Sequence, residues 1–179
     1  KYKELYKYWK QQGYLTVTSG NVTDYDYITT DMLRYADVVN IQSVGYDKYN
    51  ATQWAIDSTE QGLPLEEYPQ TLGNFNMPTR ELERLILSGK AVIDNNEINR
   101  YCFRNVTLKS DYNGNVKPNK AVDKKKIDGT IAMIQALGMY LRTPHYTKWN
   151  TDYLMGIFTN WFKKERTRTG KPEGYSVIP

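Results

Sequence analysis

VVNIQSVGYD, residues 38–47, is an apolar segment that ends in a carboxylate, and ATQWAIDSTEQ, residues 51–61, follows it closely. The apolar and β-branched content of the first segment predicts a buried strand, and the apolar spacing of the second predicts a helix. Leu65–Gln70 is then predicted to form another strand. A strand, a helix and a strand in succession are typical of an α/β protein in which helices pack against a sheet.

Further elements are predicted on both sides of this unit. They are a helix over residues 1–12 ended by Gly13, a strand Tyr14–Thr18, a helix starting near Thr23 or Asp24, a helix Thr79–Ser88 with Pro78 at its first position, a helix Ile98–Arg104, a strand Asn105–Lys109 and an Asn-Gly hairpin turn over Asp111–Asn115. A long helix from Asp123 to Leu141 is apolar around most of its circumference, which predicts that it is largely buried.

The composition is that of a globular domain, and it restricts the available chemistry. The chain has 179 residues, of which 40% are hydrophobic and 25% charged, enough for one domain and without an apolar run long enough to span a membrane. A single cysteine, Cys102, and a single histidine, His145, exclude an internal disulfide, a four-cysteine zinc site and a zinc site with two histidines. Any bound metal must be held by carboxylates, which favours magnesium or manganese.

The positive charge is small in total but clustered. Lysine and arginine outnumber aspartate and glutamate by 24 to 20, and five lysines lie in residues 117–126 against Asp123 alone. Five basic residues in 163–171 are accompanied by one acidic residue, Glu165. Such clusters suit contacts with phosphates, although on charge alone a solvated surface is the simpler interpretation.

Two aspartates are candidates for a functional site. Asp47 follows the central strand at the edge where ligands bind in α/β folds, but on its position alone a cap of the next helix is the favoured interpretation. Asp128 lies in the apolar helix, where an unpaired buried carboxylate would cost several kcal/mol unless a cation offsets it. The alternative for Asp128 is a charge that stabilises the helix N-terminus by about 0.3–1 kcal/mol. Gly129 beside it leaves room for a substrate backbone to approach.

Other polar residues receive structural interpretations. Asn50 and Asn105 either contact phosphates or cap a helix and a strand end, and the capping role is favoured. Asp24 and Asp26 are expected to be helix caps, and Asp123 is expected to be a charge at a helix N-terminus rather than a metal ligand. His145 receives no role.

Five segments occur in an order that is familiar from one family. They are QGYLTVT (residues 12–18), GYDKYNA (45–51) followed by Gln53, PTRELERLI (78–86), NGNVKP (113–118) followed by Lys120, and KIDGTIAMIQALG (126–138). Over roughly residues 3–142, the chain resembles the nuclease domain of tailed-bacteriophage terminase large subunits. The resemblance implies an RNase H-like fold, a mixed sheet with flanking helices.

The resemblance also implies a site and an activity. Asp47 matches the family's second acidic residue and Asp128 its last, so both are expected to be catalytic and to bind two Mg²⁺ or Mn²⁺ ions. Such a domain cuts concatemeric viral double-stranded DNA during packaging. The family's first acidic residue and its ATPase domain lie upstream of residue 1, so we expect an incomplete domain over 1–142 and a basic tail over 143–179.

Partners are implied in the same way. Four lysines that precede Asp128 are expected to steer the DNA backbone: Lys120, Lys124, Lys125 and Lys126. The family's partners are the terminase small subunit and the portal protein, no membrane is involved, and the location is the cytoplasm of the infected or lysogenic host. The alternative is a non-catalytic DNA-binding or portal-docking module with structural carboxylates. A carbohydrate-binding domain, suggested only by abundant Tyr, Trp and Asn, lacks a motif.

Overall fold

Six helices and four short strands lie within residues 2–143, the part of the chain that the structure, a computed structural model, describes. In chain order they are α1 Tyr2–Gln11, α2 Tyr25–Ala36, β1 Val44–Tyr46, α3 Thr52–Glu60, β2 Leu65–Glu67, α4 Leu72–Leu87, α5 Glu97–Arg104, β3 Val106–Ser110, β4 Val116–Lys120 and α6 Asp128–Arg142. The expected basic tail lies outside the described residues, apart from Thr143. No helix within residues 2–143 combines the length and the apolar character needed to cross a membrane.

The strands form two pairs of opposite type. β1 and β2 are parallel, with Val44 opposite Leu65, and they are joined through α3. β3 and β4 form an antiparallel hairpin, with Val106 opposite Lys120. The predicted α/β class is confirmed, and in the described residues the parallel and antiparallel strands form two separate two-stranded sheets.

Several local signals in the sequence have the predicted structure. The Asp24 side chain accepts a hydrogen bond from the backbone N–H of Tyr27 and thereby caps α2. Gly13 follows α1 with φ 68°, and Gly114 in the hairpin turn has φ 79°. Both glycines adopt a left-handed conformation that other residues rarely adopt, which suits Gly13 to the end of α1 and Gly114 to the turn between β3 and β4.

Two predicted strand segments are wrong. Residues 15–18 form no strand, and the central strand begins only at Val44, so residues 38–43 precede it as irregular chain. Val17 and Val38 are more than half exposed. A run of β-forming residues becomes a strand only where a neighbouring strand supplies hydrogen bonds and buries one face, and both conditions fail here.

The prediction that Pro78 begins a helix is also wrong. α4 begins at Leu72, with the Thr71 side chain accepting a hydrogen bond from Asn74 N, so Pro78 lies inside the helix. A proline there has no N–H for the carbonyl four residues earlier, which belongs to Asn74. The Tyr68 hydroxyl donates to that carbonyl oxygen at 2.7 Å. The missing backbone hydrogen bond is therefore replaced by one from a side chain.

Tyr68 is also the centre of the core. It is fully buried and belongs to a cluster formed where α4 packs on α6: Tyr68, Phe75, Leu82, Ile134 and Met139. The Tyr68 ring meets Phe75 edge to face at 5.8 Å, and the Arg142 guanidinium lies over it at 4.3 Å. Gly138 of α6 faces the same ring, because a Cβ atom at that position would lie 2.1 Å from the Tyr68 hydroxyl oxygen. A glycine there allows α6 to approach Tyr68.

α6 differs from its prediction in start and in burial. It begins at Asp128 rather than at Asp123, and it exposes a stripe formed by Asp128, Ala132 and Ala136. These positions are four residues apart and so lie on one face of the helix. The prediction of a largely buried helix is wrong because alanine counts as apolar in a pattern yet is readily exposed at a surface.

A buried hydroxyl network joins α2 to α3. The Thr29 hydroxyl donates to the Tyr25 carbonyl at 3.1 Å and accepts from the Trp54 indole N–H at 2.9 Å. Ser58 Oγ lies 2.8 Å from the same oxygen. Because a hydroxyl has one hydrogen and two lone pairs, Ser58 must be the donor in this contact. The hydrogen and both lone pairs of the Thr29 hydroxyl are thereby used in hydrogen bonds.

Replacing Thr29 by Val is expected to lower the free energy of unfolding by about 2–4 kcal/mol, because the Trp54 N–H and the Ser58 hydroxyl lose their acceptor. Urea denaturation followed by tryptophan fluorescence measures the change. Thr30→Val, at an exposed position of the same helix, is the matched control and should change stability by no more than about 0.5 kcal/mol. Equal effects of the two substitutions would show that the hydrogen bonds of Thr29 contribute nothing beyond the exchange of a hydroxyl for a methyl group.

Candidate functional site

Asp47 lies directly after β1 and is half-buried. Its Oδ1 atom accepts a hydrogen bond from the backbone N–H of Tyr49 at 3.1 Å. The next helix, α3, has Ala51 at its N-cap position, and no side chain caps it. The interpretation of Asp47 as a helix cap is therefore wrong, and the carboxylate instead closes a turn at the end of the strand.

The segment that follows Asp47 is held by contacts with two other elements, α2 and β2. The Tyr25 hydroxyl of α2 donates to the Asn50 carbonyl at 2.9 Å. The Lys48 ammonium pairs with the Glu67 carboxylate at the end of β2, at 3.1 Å. Asn50 has φ 58°, a left-handed backbone that asparagine tolerates better than most residues. We call residues 47–51 the Asp47 loop, and its path is fixed by its neighbours.

Sequence reasoning missed two of the residues that hold this loop. Tyr25 lies 25 residues before Asn50, and Glu67 lies 19 residues after Lys48. Neither separation has the period of a helix or a strand, so no pattern indicates these contacts. The Trp54 ring packs against Tyr25 and Tyr46, with ring centroids 6.0 and 6.2 Å apart.

Asp128 is the first residue of α6 and is exposed. The prediction that this carboxylate is buried is wrong, so desolvation gives no reason for a compensating cation. Its position does allow water, phosphate or a metal ion to reach it, and a negative charge in the first turn is favourable to the helix. The space beside Gly129 is occupied by α5, because a Cβ atom there would lie 3.4 Å from Cys102 Sγ. The expectation that Gly129 leaves room for a substrate is therefore wrong.

The contact between β1 and α6 involves the far part of the helix. A Cβ atom at Gly45 would lie 2.8 Å from Cγ of Met139, which is eleven residues after Asp128. At 1.5 Å per residue, the two helical positions are about 16 Å apart along the axis. In residues 2–143 no three acidic, histidine or cysteine side chains form a group suited to a metal ion. The pairing of Asp47 with Asp128 around shared ions stays a prediction.

The four lysines differ in their surroundings. Lys120 ends β4 and is exposed, and Lys124 and Lys126 are exposed in the connection to α6. Lys125 is half-buried, with its ammonium 5.4 Å from the centre of the Tyr101 ring and 6.0 Å from that of Tyr2. Part of its charge is therefore directed toward aromatic rings of the protein, and the other three are free to face a polyanion.

The predictions for Asp123 and Asn105 have different outcomes. Asp123 is exposed in the connection before α6 and lies outside the helix, so the prediction that it charges the helix N-terminus is wrong. Asn105 is buried where α5 ends, and its side-chain amide donates to the Tyr101 carbonyl at 2.8 Å. Asn105 thus has a structural role, but it caps the end of α5 rather than the predicted strand end. His145 lies outside the described part of the chain.

The β3–β4 hairpin is attached to α4. The Arg80 guanidinium donates to the Gly114 carbonyl at 2.7 Å, and the Asn76 side chain accepts from Val116 N at 2.9 Å. In the turn, a hydrogen bond from the Asn115 side chain holds the pKa of Asp111 below its ordinary value. These contacts give Lys120, which follows on β4, a fixed starting point for the connection to Asp128.

The mixed α/β fold, with an acidic residue after the parallel strand and another at the start of the last helix, is consistent with an RNase H-like nuclease domain. Residues 1–143 match the family described as terminase large subunit, endonuclease domain. The chain belongs to this family.

Individual relatives agree with the family match. The chain is 34% identical over 138 residues to protein YmfN of Escherichia coli strain K12, a match that covers 75% of this chain and 30% of YmfN. It is 27% identical over 135 residues to the terminase large subunit of Enterobacteria phage HK97, covering 74% of this chain and 27% of that protein. The chain thus spans less than a third of the length of the curated relatives it matches.

A solved structure shows the same fold. The crystal structure of the HK97 bacteriophage large terminase superposes with a TM-score of 0.67 at 27% sequence identity. The match covers 74% of this chain and 28% of the solved one. The predicted RNase H-like fold class is supported by a solved relative as well as by the sequence.

Proposed function

We propose that this chain contributes the divalent-metal-dependent endonuclease activity of a DNA-packaging terminase, which cuts concatemeric viral double-stranded DNA. The observation that carries the proposal is Asp47, a half-buried carboxylate at the end of a parallel strand that caps no helix. In a chain of the terminase endonuclease family, a ligand role accounts for this residue. Asp128 at the open start of α6 is proposed as its partner.

The donor set fits hard cations. Magnesium is commonly bound by one or two carboxylates, with substrate phosphates and water completing its ligands. Asp47 and Asp128 would hold the proposed Mg²⁺ or Mn²⁺ ions. When bound, two such ions activate water and stabilise the leaving oxygen of a phosphodiester. Hydrolysis adds water across the P–O3′ bond and leaves a 3′ hydroxyl and a 5′ phosphate.

The exposed lysines support a DNA substrate. Lys120, Lys124 and Lys126 lie between the hairpin and Asp128, and they would attract the phosphate backbone toward that carboxylate. We assign Lys125 the same role with less of its charge available, and residues 143–179 the role of a basic tail that follows the nuclease domain. The family further suggests the terminase small subunit and the portal protein as partners, in the cytoplasm of the bacterial host.

Two measurements with added Mn²⁺ test the proposal. At about 100 times its dissociation constant, the ion should stabilise the native chain by about 2.7 kcal/mol. For a chain of this size, that raises the melting temperature by roughly 5–10 °C. Supercoiled plasmid should be converted to nicked and linear forms with Mn²⁺ and remain intact with EDTA. An unchanged melting temperature and an intact plasmid would both contradict the proposal.

The second candidate is a non-catalytic module that binds DNA or docks on the portal. The observation that favours it is that residues 2–143 contain no ready group of three metal-binding side chains. This candidate predicts duplex binding that weakens steeply with salt, without cleavage and without stabilisation by Mn²⁺.

A further inference from the structure

Tyr49 exposes its side chain although it lies in the middle of the Asp47 loop. It is 81% exposed, whereas the neighbouring ring of Tyr46 packs edge to face on Trp54 at 6.2 Å. The loop therefore gains little from packing of the Tyr49 ring. Exposed tyrosines are common at protein surfaces. Whether Tyr49 indicates a binding site therefore depends on how its backbone is held.

That backbone is fixed without help from the ring. The Asp47 carboxylate accepts from Tyr49 N at 3.1 Å, and Ala51 N donates to the Lys48 carbonyl at 3.2 Å. The next residue, Asn50, is held at φ 58° while Tyr25 binds its carbonyl. Residues kept in uncommon conformations by their surroundings cluster at functional sites. The loop thus presents an unpacked phenol in a defined place, two residues from the proposed metal ligand.

We propose that Tyr49 is a positioning residue that contacts the DNA backbone beside the cleaved phosphodiester. Its ring packs on a deoxyribose, and its hydroxyl donates to a phosphate oxygen. This inference rests on the proposed nuclease function. Tyrosine contacts with phosphate and sugar fix the register of a protein on a duplex without reading its sequence. The Asp47 carboxylate accepts a hydrogen bond from Tyr49 N. A DNA contact at Tyr49 therefore fixes the position of the DNA backbone relative to Asp47.

The hydroxyl and the ring are tested separately. The full chain is titrated against a fluorescein-labelled 30-base-pair duplex by fluorescence anisotropy, without divalent metal so that DNA stays intact. Tyr49→Phe should weaken binding about tenfold, the loss of one hydrogen bond to a charged group. Tyr49→Ala should weaken it further. Tyrosine carries no charge, so neither substitution should alter the slope of affinity against salt, whereas loss of a phosphate-bound lysine reduces it by about 0.9.

Tyr112→Ala is the matched control, because Tyr112 is 97% exposed at the tip of the hairpin and outside the Asp47 loop. It should bind within twofold of the unchanged chain. In plasmid cleavage with Mn²⁺, Tyr49→Phe should raise KM while kcat stays within about threefold. A purely structural Tyr49 would leave both the affinity and KM unchanged.

The outcomes separate this inference from the proposed function. Tyr49 variants that bind DNA within twofold of the unchanged chain overturn the inference, as does an equal loss in Tyr112→Ala. If the unchanged chain cleaves DNA in that case, the nuclease proposal stands. A chain that neither binds the duplex nor cuts plasmid overturns both.

Discussion

Asp47→Asn and Asp128→Asn are each expected to reduce Mn²⁺-dependent DNA cleavage by at least about 100-fold. A metal ion contributes several kcal/mol of transition-state stabilisation in such reactions, and each 1.4 kcal/mol corresponds to tenfold in rate. Asparagine keeps an oxygen that accepts from Tyr49 N, so Asp47→Asn removes the charge and preserves the turn. Initial rates of plasmid nicking over a range of Mn²⁺ concentrations measure the loss.

Duplex binding by the two variants and cleavage by an Asp123→Asn variant provide the controls. Duplex affinity should stay the same or rise in both variants, since a negative charge is removed beside a polyanion. Asp123→Asn changes an exposed carboxylate five residues before Asp128 and should cleave normally. Each site variant should also lose the increase in melting temperature caused by Mn²⁺. Normal cleavage by Asp47→Asn would remove this residue from the site, and the same reasoning applies to Asp128.

Gly138→Ala is expected to destabilise the fold by about 3 kcal/mol or more. The new methyl group would lie 2.1 Å from the Tyr68 hydroxyl oxygen and 2.7 Å from Cζ of that ring. Tyr68 is fully buried and donates to the Asn74 carbonyl, so it cannot move aside without losing that bond. Overpacking a core typically costs 1–3 kcal/mol, and a contact this short belongs at or above the upper end of that range.

Gly73→Ala is the matched control in thermal and urea denaturation. Gly73 lies in α4, and a Cβ atom there would meet nothing within 4 Å. Its replacement should leave stability unchanged or raise it by up to about 1 kcal/mol. Combining Gly138→Ala with Tyr68→Leu should cost less than the sum of the two single changes, because the clashing atoms are gone. A Gly138→Ala chain that melts like Gly73→Ala would contradict the close packing of Gly138 on Tyr68.

Sequence reasoning succeeded where the determinant is local. The cap at Asp24, the stop at Gly13 and the hairpin around Gly114 each depend on a few adjacent residues. The family resemblance supplied the fold class, and the family match and the solved relative support it.

Predictions from the sequence were wrong where a residue distant along the chain determines the local structure. Pro78 is a typical first helical residue, yet it lies inside α4 because the Tyr68 hydroxyl replaces the missing hydrogen bond.

Asp128 was expected to be buried because Ala132 and Ala136 resemble core residues in a pattern, and the structure exposes all three. The relation of Asp47 to Asp128 is set by packing between β1 and α6, which no short spacing encodes.

The hydrogen bond from Tyr68 to the Asn74 carbonyl also constrains how this sequence can evolve. Phenylalanine at position 68 would preserve the apolar contacts but leave that carbonyl with no donor as long as position 78 is proline. An alanine at position 78 would restore the backbone N–H donor, and the Asn74 carbonyl would then no longer need the Tyr68 hydroxyl. Two positions ten residues apart therefore share one requirement, and a lineage that loses the tyrosine has reason to lose the proline as well.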